Sequence, residues 1–167
     1  SASGLDNVEI YYRRLSPDGQ FETDEIRISD HDGNSWRPKM DISSNGRIAV
    51  VWYDFMESSL ADPLLSISNQ DQVFTNANDF AVKKIGGISP NNEGGILPQV
   101  AFDSQGRLHA IWTVAEMQGF YYMNERLFYG VIEDLESNAI VQRQQIGTGK
   151  GSTSMDPAKM VIDQNDT

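Results

Sequence analysis

The sequence predicts an all-β protein built from four-stranded antiparallel units on a repeat of about sixty residues. Three observations carry this. PKMDISSNGRIAVVWYD at 38–54 realigns with PQVAFDSQGRLHAIWTV at 98–114, so that Pro38 and Pro98, Gly46 and Gly106, and Trp52 and Trp112 each lie sixty apart. Within each copy apolar residues alternate with a period of two, the strand period, around a turn rich in Gly, Asn and Asp. No segment sustains the 3.6-residue period of a helix.

In chain order, NVEIYYRRL at 7–15 and DEIRIS at 24–29 read as third and fourth strands joined by the SPDGQ turn. The hairpin at 38–54 supplies a first and a second strand, with Ile48, Val50 and Trp52 on one face. PLLSISN at 63–69 and FAVKKIG at 80–86 complete that unit. The hairpin at 98–114 opens the next unit, with Leu108, Ala110 and Trp112 matching the earlier face. ERLFYGVIE at 125–133 and AIVQRQQIG at 139–147 complete it. A further copy begins as AKMVIDQNDT, with Asp163 sixty residues after Asp103.

Four-stranded units repeating at this length predict a β-propeller, in which blades pack around an axis. The chain reads as one partial propeller domain over 1–167, with blade pieces 1–32, 33–93 and 94–154 and the start of another at 155–167. About three blades are expected, where propellers commonly have four to eight. The expected partner is therefore the rest of the ring, from another chain or from a longer polypeptide.

Composition narrows the function classes. The 167 residues carry a formal net charge of −11 with both signs interspersed, which argues against a nucleic-acid backbone as ligand. There is no cysteine, hence no disulfide framework, Cys-based zinc site or thiol nucleophile. No stretch approaches the roughly 20 apolar residues of a membrane span. The N-terminal SASGLDNVEI lacks the basic start and apolar run of a signal peptide.

The pattern P-x-x-x-x-D-x-x-G-R-[IL]-x-x-[VI]-W, read on Pro98–Trp112 and on Pro38–Trp52 with Ser43 at the Asp position, resembles the repeat of bacterial sialidase-like (BNR, Asp-box type) propellers. The resemblance covers nearly the whole chain. It implies the fold more than an activity, since such propellers include exo-sialidases, other glycoside-active enzymes, lectins and surface proteins without chemistry.

Two motifs of that family bear on the enzyme reading. The Asp box S-x-D-x-G-x-x-W has two imperfect counterparts. Ser16-Pro17-Asp18-Gly19 is one residue short, and Ser29–Trp36 has His31 in place of the Asp. The arginine motif F-R-I-P has its counterpart in Trp36-Arg37-Pro38, with one residue missing. A bidentate Arg37 would suit a sugar carboxylate, whereas the plainer expectation is an arginine that caps a strand entry or pairs with an acid.

The loops expected to form a binding face carry Trp36, Arg37, Tyr53, Asp54, Glu57, Glu116, Phe120, Tyr121 and Tyr122. Aromatic faces beside hydrogen-bonding acids suit sugar binding. The plainer reading packs Tyr121 and Tyr122 between blades.

Asp30, Asp32 and Asn34 follow D-x-D-x-N, the candidate metal ligands, and calcium is the ion the spacing would suit. Ser35 stands where a calcium loop needs Gly, so a solvated acidic turn and no cofactor are the expectation. His109 replaces the repeat's Ala49 in mid-strand and reads as packed, not reactive.

These readings predict a secreted or cell-surface recognition module with a carbohydrate ligand and no catalysis. The alternatives are a sialidase-like hydrolase whose other catalytic residues lie outside the chain, and an assembly module completed by another chain.

Overall fold

A computed structural model describes residues 8–29, 33–55, 61–68, 80–84, 94–118, 121–132, 140–148 and 158–163. All regular secondary structure among them is β-strand. No helix there is long and apolar enough to cross a membrane.

The short strands β1 (Tyr11–Tyr12) and β2 (Ile26–Arg27) pair antiparallel as one small sheet. The second sheet joins β3 (Asn34–Ile42), β4 (Ile48–Phe55), β5 (Ala61–Ser68) and β6 (Phe80–Lys84) in sequence order. The third sheet joins β7 (Gly94–Phe102), β8 (Leu108–Gln118), β9 (Tyr121–Ile132) and β10 (Ile140–Thr148) in the same up-and-down order.

The copies agree at the turns. Ser16–Gln20, Ser43–Arg47 and Asp103–Arg107 share one hydrogen-bonding pattern. The Gly N–H donates to the carbonyl three residues earlier, and the first residue's N–H donates to the carbonyl of the last. Gly19, Gly46 and Gly106 hold φ of 83°, 83° and 78°, the left-handed region where a Cβ is penalised. The first side chain finishes each turn. Ser43 Oγ accepts the Arg47 N–H at 2.9 Å, Ser16 Oγ the Gln20 N–H at 3.1 Å, and Asp103 Oδ1 the Arg107 N–H at 2.9 Å.

The pleat then distributes β4 between two cores. Ile48, Val50 and Trp52 pack with Ile10, Ile26 and Ile28 of the first sheet. Their neighbours Ala49 and Val51, with Leu65 and Ile67, pack with Val100, Leu108, Ala110, Trp112 and Val114 of the third. The face expected for Ile48, Val50 and Trp52 is therefore the one observed, and the middle sheet is apolar on both sides.

Strand lengths differ from the sequence reading. Residues 53–62 and 113–124 were expected as loops, but β4 runs to Phe55, β5 starts at Ala61, and β8 and β9 continue to the pairs Met117↔Tyr122 and Gln118↔Tyr121. In β8–β9 the two strands simply go on pairing beyond their apolar core, where the hydrophobic pattern gives no signal. The 7–15 and 24–29 strands shrink to a two-residue ladder plus the bridge Leu15↔Phe21. Residues 158–163, expected to open a strand, form no ladder and lie against β7. There Gln99 Nε2 donates to the Ala158 carbonyl, and the Met160 N–H donates to Gln99 Oε1 at 3.4 Å.

Candidate functional site

Two side-chain groups stand out, one expected from the sequence and one not. The expected group lies where β3 enters its sheet. Trp36 pairs across the ladder with Tyr53, and the register then slips between Trp36 and Lys39. Arg37 sits in that bulge at φ 52°. Few residues other than Gly adopt this region, and a residue before proline is normally held extended. The same slip recurs between Ile96 and Gln99, with Leu97 at φ 53°, so the bulge belongs to the repeat.

What the bulge presents differs between copies. Ile96 and Leu97 are 1% and 7% exposed, whereas Trp36 is 44% exposed and Arg37 is also exposed. Tyr53 is buried beside them. Burial pushes its phenol above the ordinary value, and the Arg37 guanidinium pulls the other way. Trp36, Arg37 and Tyr53 thus form one aromatic-cationic group.

Asp54 does not join it. It is fully buried, and its Oδ1 accepts a hydrogen bond from Ser35 Oγ at 2.6 Å, so it ties β4 to β3 and is not a surface acid. Strand pairing alternates faces, which turns the Ser35–Asp54 pair away from the Trp36–Tyr53 pair. Glu116, Tyr121 and Tyr122 lie at the β8–β9 hairpin end, far along the ladder from their core pairs. Their side chains, and all of Glu57 and Phe120, lie outside the described residues.

Of the candidate metal ligands, Asp30 and Asp32 also lie outside the described residues. Asn34 Oδ1 accepts the Val8 N–H at 2.8 Å, a link between the first two sheets. Among the described residues no group of three His, Asp or Glu side chains is placed to hold a metal ion.

The unexpected group is a hydrogen-bonded chain on the far face of the third sheet. Asp103 Oδ2 receives Arg107 Nε at 2.5 Å and lies 3.0 Å from His109 Nε2. His109 Nδ1 lies 2.6 Å from the Tyr129 hydroxyl. Burial alone would raise the Asp103 carboxyl, but the hydrogen bonds from His109 and Arg107 outweigh it and hold it at about 2. An ionised Asp103 only accepts, so neutral His109 carries its proton on Nε2 and takes the Tyr129 O–H at Nδ1. The chain borders a cleft of about 340 Å³ between the sheet and residues 158–162.

Sequence reading missed this group because Tyr129 stands 20 residues from His109 and each member has a plainer reading of its own. Asp103 looks like turn chemistry, His109 like a substituted Ala49, and Tyr129 like strand composition. The pairing Ile111↔Tyr129 joins them, and that register is not written in any one segment. No family model matches the chain, and neither a curated protein nor a solved structure does.

Proposed function

We propose that the chain is part of a sialidase-like β-propeller of four-stranded blades, a recognition module at the cell surface or outside the cell that binds carbohydrate without turning it over. Two four-stranded sheets in one order, stacked through repeat-equivalent faces, support the propeller reading.

The ligand class rests on one observation: at the shared bulge the apolar pair Ile96–Leu97 is replaced by Trp36–Arg37, set against Tyr53. An aromatic face stacks on the C–H surface of a sugar ring, and a guanidinium can grip a carboxylate in two hydrogen bonds. An acidic saccharide satisfies both groups at once. Asp103, Arg107, His109 and Tyr129 serve the fold in this reading, since their polar atoms satisfy one another.

A glycan array with the intact chain tests the proposal. Binding of carboxylated sugars, abolished by Trp36→Ala and lowered at least tenfold by Arg37→Ala, is the expected result. Absence of binding overturns the ligand class. Release of free sugar from fluorogenic sialosides, lost in Arg37→Ala, replaces it with the hydrolase reading.

A further inference from the structure

The three hairpin turns share one geometry, and the residue before the glycine differs in each: Asp18, Asn45 and Gln105. Of these, only Asn45 sets a short carboxamide against the glycine that follows it. No other asparagine of the chain precedes a glycine. The Asn45 Cγ and the Gly46 backbone nitrogen close a five-membered ring, the size that intramolecular attack favours. Gln105 would need a six-membered ring, and Asp18 presents a carboxylate. The Ser16 hydroxyl, bonded to Asp18 Oδ1, holds that carboxyl below its ordinary value, so it stays ionised and resists a nucleophile.

The surroundings of Asn45 act on such a reaction in both directions. Asn45 and Gly46 are exposed, so water and base reach them. Gly46 has no Cβ to crowd its nitrogen. Attack at Cγ puts negative charge on Oδ1, and two donors already point there. Ser43 Oγ donates to Asn45 Oδ1, and the Arg47 N–H, held by Ser43 Oγ at 2.9 Å, reaches the same oxygen at 3.4 Å. Donors placed where charge develops lower the barrier. Against this, the Gly46 N–H is bonded to the Ser43 carbonyl at 2.9 Å and has to be released first. One exposed backbone hydrogen bond of ordinary net strength holds the reaction back only about fivefold.

We infer that Asn45–Gly46 is a self-modifying site, at which the Gly46 nitrogen displaces ammonia from Asn45 while the Ser43 hydroxyl and the Arg47 N–H bear the charge on Oδ1. The Gly46 nitrogen gives its proton to solvent base and bonds to Cγ. The Cγ–Nδ2 bond breaks, and Nδ2 takes a proton from water and leaves as ammonia. A second water then opens the ring. Opening at Cγ leaves aspartate, and opening at the main-chain carbonyl carbon routes the backbone through Cγ as isoaspartate. In sum one water is consumed and one ammonia released, with nothing oxidised or reduced.

The two products affect the β3–β4 hairpin differently. Aspartate reproduces the first turn, where Asp18 stands beside Ser16 in the same pattern. Isoaspartate adds a carbon to the backbone, which pushes the Ser43 N–H out of register with the Arg47 carbonyl it bonds at 2.8 Å. Either product adds a negative charge to a chain of net charge −11. The site is separate from the Trp36–Arg37 group and does not depend on what that group binds.

The test is incubation of the intact chain in mildly alkaline buffer, followed by digestion, chromatography and mass spectrometry. The Asn45 peptide should yield two products, each heavier by the change from amide to acid, at least about tenfold faster than any other asparagine peptide. Asn45→Gln, which copies the third turn, should abolish both. Gln105→Asn puts an Asn–Gly pair in the third turn, where Asp103 offers a carboxylate in place of the Ser43 hydroxyl. That site should react at least about fivefold more slowly than Asn45 in the same molecule. Circular dichroism verifies that both variants keep their sheets. An Asn45 peptide that changes no faster than the other asparagine peptides overturns the inference. Equal rates at the two turns of Gln105→Asn overturn it as well, since the Ser43 hydroxyl would then have no part in the reaction.

Discussion

His109 Nε2 lies 3.0 Å from Oδ2 of Asp103, the residue whose other oxygen closes the β7–β8 turn. One carboxylate therefore serves the backbone and the strand face together. Oδ1 takes the Gln105 and Arg107 N–H groups, each at 2.9 Å, and Oδ2 takes two side chains. In the copy sixty residues earlier Ser43 Oγ takes the Arg47 N–H at 2.9 Å, with Asn45 Oδ1 a second, longer acceptor at 3.4 Å.

That comparison separates the two roles. Asp103→Ala removes an acceptor from four donors in a buried place and should cost about 3 kcal/mol of stability. Asp103→Ser restores the turn as Ser43 and Ser16 make it, recovering about 1 kcal/mol while withdrawing the carboxylate from His109 and Arg107. Urea unfolding of the three proteins orders them native, Ser, Ala. Equal stability of the Ser and Ala variants would show that the turn bonds carry none of the effect.

The same carboxylate sets an acid limit. Its folded value of about 2 lies below the ordinary 3.8, so ionised Asp103 favours the folded chain. A depressed value contributes stability that is fully present above about pH 4 and is lost as pH falls towards 2, on the order of 2 kcal/mol in all. Asp103→Asn should flatten stability against pH in that window and leave the slope above pH 5 unchanged. An unchanged acid limb in Asp103→Asn would locate the acid sensitivity elsewhere.

The turn glycines show what the sequence made legible. Gly46 and Gly106 sixty apart, each before an Arg and a largely apolar strand, announced a hairpin twice, and both turns form with φ near +80°. A Cβ there would meet nothing within 4 Å, so the requirement is conformational and can be read from residue type. Replacing either with Ala should cost about 1 kcal/mol, and with Asn, which tolerates this region, less. Thermal unfolding distinguishes them; equal loss for Ala and Asn would point to packing.

Arg37 and Leu97 were not legible in that way. They adopt positive φ before a proline, against the preference of their types, because the strand slips one register there. Trp36 with Tyr53 was foreseeable as an aromatic group, since both fell on one expected face. The burial of Asp54 was not, because its loop is strand and its partner Ser35 stands opposite only in the observed register.

The His109 tautomer is itself measurable. With Nδ1 accepting from Tyr129 and Nε2 donating towards Asp103, nitrogen-15 spectra of the neutral imidazole should show its proton on Nε2. Tyr129→Phe removes the donor to Nδ1 and should cost about 1 kcal/mol without moving that proton. A neutral imidazole with its proton on Nδ1 would mean that the Tyr129 oxygen accepts and that ionised Asp103 receives no hydrogen bond from Nε2.

The two sheet faces make a last prediction about where stability resides. Val100 is nearly covered, so Val100→Ala both loses apolar burial and leaves space between the second and third sheets; about 2 kcal/mol is expected. Met40 holds the equivalent place with 53% of its surface open, and Met40→Ala should change stability by no more than about 0.5 kcal/mol in the chain alone. The ratio tests the repeat equivalence itself, because the sites share a strand position and differ in the neighbouring sheet. If Met40→Ala proved as costly as Val100→Ala, Met40 would have to be covered in solution and the two sites would not differ as their exposures do.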